Sequence, residues 1–227
     1  MENNTVLSHT RFNSVTWYGE NRELTIGGAG TIGSWLTLLL ARTGQHEILV
    51  YDDDTVDIEN LAGQLYGRVH INMSKVDAIK EQVLELTEFD RNQLHVFKTK
   101  IVDGTYVSPV CFSAFDNMKA RKAMFNNWKS KKDREIFIDG RMTIEDYQVF
   151  FVTPDNEDQY EKTLFSDKDL PDQICSLKAT SHTGALIAGR MVSLFTNHLA
   201  NVAMGVPMRE LYFMTSENLE IQSLNQQ

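Results

Sequence analysis

The sequence predicts an α/β protein with a mostly parallel β-sheet and helices on both of its faces. Short apolar runs alternate with amphipathic segments along the 227 residues, which is typical of parallel strands joined by crossover helices. The first apolar run leads into a glycine-rich turn and a helical pattern, and the second run ends at an acidic residue. Together these features indicate a Rossmann-like nucleotide-binding unit, in which the ligand lies at the carboxyl ends of the strands.

The glycine-rich turn GAGTIG follows the short apolar run Leu24–Ile26 and precedes the apolar-periodic segment Trp35–Leu40. Its glycines Gly28, Gly30 and Gly33 have the GxGxxG spacing. Glycine permits the tight turn and lets backbone N–H groups approach a polyphosphate at the positive end of a helix. The sequence therefore predicts a strand, a phosphate-binding turn and a helix, in this order.

The segment Glu47–Tyr51 predicts the second strand, and Asp52 stands at its carboxyl end, roughly 20 residues after the glycines. An acidic residue at this place accepts hydrogen bonds from ribose hydroxyls. The turn and Asp52 together predict a bound nucleoside with phosphates. The pattern fits a nicotinamide dinucleotide as well as ATP, and the residues downstream decide between them.

A helix is predicted over Lys75–Leu86, with Ser74 as its N-cap. One face of this segment is largely apolar and the other is charged. Lys75 lies in the first turn, where a cation opposes the helix dipole, and it is better placed if it neutralises a phosphate. The alternative is an ordinary surface lysine. A strand at Leu94–Val102 is expected to follow the helix.

The compact apolar run Pro109–Phe115 predicts a buried parallel strand, and the helix after it is expected to extend through Trp128. Asp116 and Asn117 stand at the carboxyl end of this strand. They therefore lie at the sheet edge that also carries the glycine turn and Asp52. A carboxylate there holds magnesium against phosphate oxygens, caps the following helix, or does both.

The second half of the chain is expected to complete the sheet and to add a helix that is apolar on nearly every side, as in a core or a subunit interface. No repeat or interdomain linker interrupts it. The expected elements are a strand at Glu135–Asp139, a turn at Gly140–Arg141, a strand at Tyr147–Thr153, a polar lid or contact loop at Pro154–Asp172, a helix at Thr180–Leu199 and a hairpin at Arg209–Leu224.

The domain organisation expected from this pattern is an N-terminal arm over residues 1–22 and a single domain over residues 23–227. Within the domain, residues 23–141 form the nucleotide-binding part, and residues 142–227 contain the crossover loop, the buried helix and an antiparallel C-terminal hairpin. At this length one sizeable α/β domain is expected rather than two independent ones. Arg11 lies in the arm and is, on residue type alone, a surface arginine.

Composition and net charge disfavour several classes of protein and of site. The formal net charge of −9 disfavours a general nucleic-acid binder, because such proteins usually need a basic surface. The best apolar stretch, Ala185–Leu199, is interrupted by Arg190, Asn197 and His198, so no membrane span is expected. The N-terminal residues lack the pattern of a signal peptide, and we expect a cytoplasmic protein. The two cysteines, Cys111 and Cys175, are too few for a tetrathiolate zinc site within one chain or for a disulfide framework.

Several short motifs in order resemble the ThiF/MoeB family, the adenylating enzymes related to the ubiquitin-activating enzymes. Family members carry a glycine turn, a D-x-D-x-V-x-x-x-N-L-x-R-Q segment, a lysine, and a D-N pair with an arginine a few residues on. The resemblance is clear over Ile26 to Arg121. Its counterparts here are GAGTIG, then Asp52, Asp54, Val56, Asn60, Leu61 and Gln64, then Lys75, then Asp116, Asn117 and Arg121.

The resemblance implies that ATP and magnesium are used to adenylate the C-terminal carboxylate of a small ubiquitin-like or sulfur-carrier-type protein or of a peptide. Family roles implied for single residues are ribose binding at Asp52, phosphate binding at Asn60 and Lys75, and magnesium binding at Asp116. Arg11 resembles an arm arginine that is supplied across a homodimer. The remaining nucleotide contacts implied are those of the glycine turn, Asp54, Gln64 and Asn117.

The chain departs from the family pattern at Gly63, where the family has arginine, at Thr31, where it often has another glycine, and in lacking zinc cysteines. Gly63 supports an alternative, a nucleotide-binding pseudo-enzyme that serves as an interaction scaffold. An NAD-dependent oxidoreductase is disfavoured by the N-L-x-x-Q segment and the D-N pair. Cys175 is either a nucleophile that takes the acyl group as a thioester or a structural cysteine, and Cys111 is expected to be inert core.

Overall fold

In the computed structural model, residues 7–12, 14–142, 147–165, 181–205, 212–213 and 222–223 are described. A six-stranded sheet forms the centre of the molecule, with strand order β3-β2-β1-β4-β5-β6. Its first five strands are parallel, and β6 pairs antiparallel with β5. The strands are β1 (Glu23–Gly27), β2 (Glu47–Tyr51), β3 (Leu94–Phe97), β4 (Val110–Ser113), β5 (Ile136–Met142) and β6 (Tyr147–Val152).

The helices pack on both faces of this sheet, so the predicted α/β, Rossmann-like fold class is confirmed. A second, short sheet pairs β7 (Tyr212–Phe213) with β8 (Gln222–Ser223) in antiparallel register, within the predicted C-terminal hairpin. The helices are α1 (Gly33–Ala41), α2 (Lys75–Leu86), α3 (Met118–Lys129), α4 (Glu157–Glu161) and α5 (Ser181–Met204).

One face of the sheet is covered by α1, α2 and α5. Their apolar residues, among them Leu36, Ile79 and Phe195, form one buried cluster with the β-strand residues that point to this side. The other face is covered by α3 and α4, where Trp128 and Tyr160 pack in a second cluster. Because both faces are covered, β2, β4 and β6 are largely apolar rather than alternating, as expected of strands in a sheet that is buried on both sides.

Helix α5 crosses the sheet and reaches the glycine turn. A Cβ on Gly184 in its first turn would lie 2.7 Å from the carbonyl oxygen of Thr31, so only glycine lets the two segments approach this closely. The crossing over β5 is also close at a glycine, since a Cβ on Gly140 would lie 2.7 Å from Met191 Sδ and 2.8 Å from Ile187 Cγ2. The beginning of α5 is thereby fixed beside the predicted phosphate-binding turn.

Several predicted boundaries were wrong. Gly140–Arg141 is not a turn, because both residues lie in β5 and pair with Val149 and Gln148 of β6. The strand predicted to end at Val102 ends at Phe97. The polar loop from Pro154 contains the short helix α4, and its residues from 166 onward lie outside the described part of the chain.

Among the described residues, no helix has both the length and the hydropathy needed to cross a lipid bilayer. Residues 7–12 form a 3-10 helix ahead of β1. Trp17 follows it and packs, partly buried, against the first core cluster. The division into an arm over residues 1–22 and one domain over residues 23–227 stays a prediction.

Candidate active site

The glycine turn closes tightly over the end of β1. Gly28 has φ of 90°, a left-handed conformation that side chains disfavour, and its N–H donates to the carbonyl oxygen of Tyr51 at 2.9 Å. A Cβ on Gly33 would lie 1.8 Å from the Gly28 carbonyl oxygen. A Cβ on Gly30, in contrast, would meet no atom within 4 Å. The turn therefore presents open space at Gly30, where the motif places a polyphosphate.

Asp52 is held by the backbone on both of its carboxylate oxygens. Oδ2 accepts the N–H of Ala29 at 2.7 Å, and Oδ1 accepts the N–H of Asp54 at 2.8 Å. Burial raises the pKa of Asp52, and these two hydrogen bonds and the attraction of Lys75 offset part of that rise. The carboxylate is thus fixed at the carboxyl end of β2, beside the glycine turn, and its binding of ribose stays a prediction.

Lys75 is buried, with 7% of its surface exposed, so the surface-lysine alternative is wrong. Its Nζ lies 2.7 Å from Asp54 Oδ2, and its backbone N–H donates to the carbonyl oxygen of Asp54 at 2.9 Å. Ser74 precedes α2, but its side chain does not cap the helix. The ion pair with Asp54 therefore compensates a cation that opposes the helix dipole.

The segment that contains the N-L-x-x-Q residues is a 3-10 helix, Ile58–Ala62. Asn60 Oδ1 accepts the N–H of Asp57 at 2.9 Å and so stabilises the start of this helix. Gly63 follows with φ of −130°, a conformation open to residues with side chains, and its carbonyl oxygen accepts the indole N–H of Trp35 at 3.2 Å. Gln64 Oε1 is buried without a hydrogen-bond partner in the described part of the chain.

Asp116 is exposed just beyond β4, at the same sheet edge as the glycine turn and Asp52. The helix cap is its neighbour: Asn117 Oδ1 accepts the N–H of Ala120 at 2.9 Å, so the N-cap interpretation of Asp116 is wrong. Asn117 Nδ2 in turn donates to Asp116 Oδ1 at 3.3 Å. Asn117 therefore contacts Asp116 and ends the loop that carries it.

A buried ionic cluster, absent from the sequence-based site, supports this loop. Asp139 is fully buried, with Arg121 Nε at 2.7 Å from Oδ1 and Arg141 Nε at 2.6 Å from Oδ2. Arg121 Nη2 also donates to the carbonyl oxygen of Phe115 at 2.6 Å. Burial opposes ionisation of Asp139, but the attraction of both arginines lowers its pKa overall. The sequence signals were Arg121, as the arginine of the family motif, and an aspartate at the end of an apolar strand.

The remaining residues considered from the sequence are Arg11, Cys175 and Cys111. Arg11 lies in the N-terminal 3-10 helix and is exposed, and its action across a dimer stays a prediction. Cys175 lies outside the described residues. Cys111 is fully buried, its Sγ donates to the carbonyl oxygen of Ser108 at 3.3 Å, and burial raises the pKa of the thiol. Cys111 therefore has the properties of an unreactive core residue.

The described residues contain no group of three His, Cys, Asp or Glu side chains arranged to hold a metal ion. Magnesium does not require such a group, because it usually keeps several waters and binds through one or two carboxylates and nucleotide phosphates. The exposed carboxylate of Asp116 meets that requirement. A zinc site of the tetrathiolate kind has no counterpart here, because the chain has only two cysteines.

Known proteins resemble this chain in sequence and in fold. The ubiquitin-like modifier-activating enzyme 5 of Caenorhabditis elegans is 25% identical over 145 residues, which are 57% of this chain and 34% of that protein. The SUMO-activating enzyme subunit 2 of Dictyostelium discoideum is 42% identical over 67 residues, 29% of this chain and 10% of that protein. This chain thus spans only a minor part of either enzyme.

Among solved structures, E. coli MccB with ATP superposes with a TM-score of 0.64 at 18% identity, covering 90% of this chain and 64% of MccB. MccB has also been solved with AMPCPP and MccA, with a TM-score of 0.64 at 16% identity, covering 91% of this chain and 64% of that one. At this identity the likeness shows the fold. A profile of the ThiF family matches residues 20–226, so the predicted resemblance is confirmed and the chain belongs to the ThiF family.

Proposed function

We propose that this chain is an ATP- and magnesium-dependent adenylyltransferase that activates the C-terminal carboxylate of a small ubiquitin-like or sulfur-carrier-type protein or of a peptide. The observation that carries the proposal is the position of Lys75. Its buried ammonium group lies at the sheet edge that also carries the glycine turn and the anchored Asp52. Family membership and the MccB structure with ATP support ATP as the nucleotide.

The reaction needs stabilisation of phosphate charge more than it needs a base. A carboxylate oxygen attacks the α-phosphorus of ATP, the bond to the bridging oxygen breaks, and pyrophosphate leaves as the acyl-adenylate forms. Negative charge accumulates on the phosphates, so prearranged cations and N–H dipoles are the main requirement. Lys75 and the amides at the start of α1 supply these groups, and the Asp52 carboxylate accepts the ribose hydroxyls.

Further contacts are proposed for residues around this centre. Asn60 and Gln64 lie on the segment that follows the Asp54 loop, and the unpartnered Gln64 Oε1 is an acceptor that a ligand or water would satisfy. Asp116, oriented by Asn117, would hold magnesium, which when bound neutralises phosphate charge. Asp54 keeps Lys75 in place before the nucleotide binds.

The proposed partner is a protein or peptide with an accessible C-terminus. MccB has been solved with MccA, and another relative is an activating enzyme for a ubiquitin-like modifier. We also propose a homodimer in which Arg11 reaches the phosphate site of the other subunit. Mixing Arg11→Ala chains with Lys75→Ala chains tests this arrangement, because a mixed dimer then contains one intact composite site and recovers part of the activity.

Transfer of the acyl group to a thiol is a second proposed step. The Cys175 thiolate would attack the acyl carbon and displace AMP, which leaves a thioester. Incubation with ATP and a cognate carrier followed by denaturing electrophoresis would show a thiol-sensitive adduct. The adduct should be lost in Cys175→Ser and kept in Cys111→Ser. If both variants keep the adduct, Cys175 is not the acceptor of the acyl group.

One feature favours a second candidate function. Gly63 carries no side chain at the place where the family has arginine, and within the described residues Lys75 is already paired with Asp54. A protein with this site could bind nucleotide without catalysing adenylation and act as an interaction scaffold. It would bind ATP tightly but would not exchange pyrophosphate.

Exchange of labelled pyrophosphate into ATP separates these functions. The purified chain is assayed alone and with candidate carrier proteins whose C-terminal glycine is free. Carrier-dependent exchange that is lost in Lys75→Ala and Asp116→Ala supports adenylation. ATP binding without exchange supports the scaffold. Binding of NADH with no binding of ATP would overturn both proposals.

A further inference from the structure

Tyr66 lies between the two elements that carry the proposed phosphate contacts. Its hydroxyl is 2.5 Å from the carbonyl oxygen of Ala29 in the glycine turn. It is also 3.3 Å from the carbonyl oxygen of Lys75, the first residue of α2. The side chain is buried, with 7% of its surface exposed. Tyr66 therefore connects the phosphate-binding turn to the backbone of the lysine helix.

The bond to Ala29 determines the direction of a neighbouring donor. The peptide unit between Ala29 and Gly30 is planar and trans, so its N–H points opposite to its carbonyl group. By holding the Ala29 carbonyl, the Tyr66 hydroxyl fixes the direction of the Gly30 N–H. That N–H forms no hydrogen bond within the described part of the chain, and Gly30 borders open space.

The preceding peptide unit is fixed by a different side chain. The N–H of Ala29 donates to Asp52 Oδ2 at 2.7 Å. Two successive peptide units of the turn are therefore each held by one side chain, Asp52 on the first and Tyr66 on the second. Among the described contacts, the Tyr66 hydroxyl is the side-chain group that holds the peptide unit containing the Gly30 N–H.

The hydroxyl of Tyr66 is a permanent donor in a fixed position. Burial, and then the negative charges of Asp52 and Asp54, raise the pKa of Tyr66, so the hydroxyl stays protonated at neutral pH. The backbone before Tyr66 is attached to α1 at two points. The N–H of Leu65 donates to Ser34 Oγ at 3.0 Å, and the carbonyl of Gly63 accepts from Trp35.

We propose that Tyr66 is a positioning residue that aligns the Gly30 N–H of the glycine turn with Lys75 for one polyphosphate. This inference rests on the proposed function, because it needs a nucleotide with phosphates at this edge. The inference distinguishes the part of the site that binds phosphates from the part that binds ribose. Tyr66 acts on the groups that bind phosphates, whereas ribose binding depends on Asp52, with which Tyr66 shares no hydrogen bond among the described contacts.

The test compares ATP with adenosine, a probe that lacks phosphates. Dissociation constants are measured by calorimetry for the full chain and for Tyr66→Phe, which keeps the ring and removes the hydroxyl. Loss of one neutral hydrogen bond should weaken ATP binding by about fivefold and leave adenosine binding unchanged. Pyrophosphate exchange should show a raised KM for ATP and a lowered kcat.

Tyr106→Phe is the matched control. The Tyr106 hydroxyl donates to Glu23 Oε1 at 2.6 Å, at the beginning of β1 and thus at the opposite edge of the sheet. The variant should bind ATP and adenosine as the unmodified chain does. Trp35→Phe is a second variant, in case Tyr66→Phe does not fold. It removes the hydrogen bond to the Gly63 carbonyl oxygen. It should also weaken the binding of ATP and leave the binding of adenosine unchanged.

Two results would overturn the inference while the proposed function stands. One is unchanged ATP affinity and exchange in Tyr66→Phe. The other is an equal loss of ATP and adenosine affinity, which would mean that the hydroxyl only stabilises the fold. If the unmodified chain binds no ATP in the same titrations, the proposed function itself fails, and the inference fails with it.

Discussion

Lys75 Nζ lies 2.7 Å from Asp54 Oδ2, although the two residues are 21 positions apart in the chain. The lysine side chain is 9% exposed and the aspartate side chain is 64% exposed. A cation that is already ordered by a carboxylate needs little reorganisation when phosphates approach. If Lys75 binds phosphates as proposed, its positive group is therefore in place before the ligand arrives.

Replacing Lys75 with alanine should reduce pyrophosphate exchange by about 10²–10³-fold, the usual cost of removing one group that stabilises transition-state charge. The fold should survive, because the partner left behind, Asp54, is largely solvated. The control is Lys80→Ala on the same helix, whose Nζ donates to the carbonyl oxygen of Leu94 at 2.5 Å. Equal exchange rates in Lys75→Ala and in the unmodified chain would remove Lys75 from the site.

ATP binding should weaken on acidification at a pH above the ordinary titration range of aspartate. Burial raises the pKa of Asp52, and ribose hydroxyls need the ionised carboxylate as acceptor. As the pH falls through this raised pKa, Asp52 takes up a proton and loses that acceptor. ATP affinity measured from pH 7 to pH 4 should show this fall.

Asp52→Asn is the variant that assigns the titration. An amide carries no titratable proton, so the fall in ATP affinity between pH 7 and pH 4 should become flatter, at a lower affinity throughout. Adenosine, which carries the same ribose but no phosphate that titrates in this range, should also lose affinity as Asp52 takes up its proton. A pH profile that is identical in Asp52→Asn and in the unmodified chain would assign the titration to another group.

Gly63→Arg should increase the rate of carrier-dependent pyrophosphate exchange. The backbone at Gly63 has a negative φ of −130°, so a side chain does not require the left-handed region, and the substitution supplies a cation at the position where the family has arginine. Each well-placed donor of this kind contributes about 2.7–4 kcal/mol to transition-state stabilisation. Single-turnover rates at saturating ATP measure the gain.

Gly189→Arg supplies the charge-matched control for Gly63→Arg. Gly189 lies on α5, where a Cβ would meet no atom within 4 Å, so the added arginine changes net charge without filling occupied space. It should leave exchange unchanged. A rate increase of equal size in both variants would attribute the effect to overall charge, and no increase in Gly63→Arg would mean that the site does not use a cation there.

The sequence predicted correctly those elements of the fold whose signals lie within a single segment of the chain. Helix α2 runs from Lys75 to Leu86 as predicted. The prediction succeeded because the periodic apolar residues and the residue before the helix lie within one continuous segment of sequence. Gly140 misled the prediction, since glycine usually indicates a turn. Here it lies within β5 because α5 crosses directly over it, a contact between segments that are distant in sequence.

The same limit applied to the site. The glycine turn and Asp52 follow a spacing rule, and the structure brings them into direct contact through Ala29. The partners of Lys75 and Asp139 follow no such rule, because Asp54 and Arg121 reach them only after the sheet has formed. Ion pairs between residues that are distant in sequence therefore became visible only in the structure.

Asp139→Asn should lower the free energy of unfolding by about 3–5 kcal/mol at pH 7, because it leaves one buried and one largely buried guanidinium group without their counter-charge. Arg121 and Arg141 lie 2.7 Å and 2.6 Å from the carboxylate oxygens. Urea unfolding followed by tryptophan fluorescence measures the change. Asp158→Asn is the control, since this exposed carboxylate pairs with Lys129 at the surface and its loss should leave the transition unchanged.

The pH dependence of stability supplies an independent test of the same cluster. The pKa of Asp139 is lowered in the folded protein, so the folded state holds this proton less tightly than the unfolded state. Its contribution is therefore fully present above about pH 4, the ordinary value for aspartate, and is lost as the pH falls through the lower folded pKa. In Asp139→Asn this acid-dependent loss should be absent. If the variant and the unmodified chain instead lose stability in parallel below pH 4, Asp139 is not the group that links folding to acid.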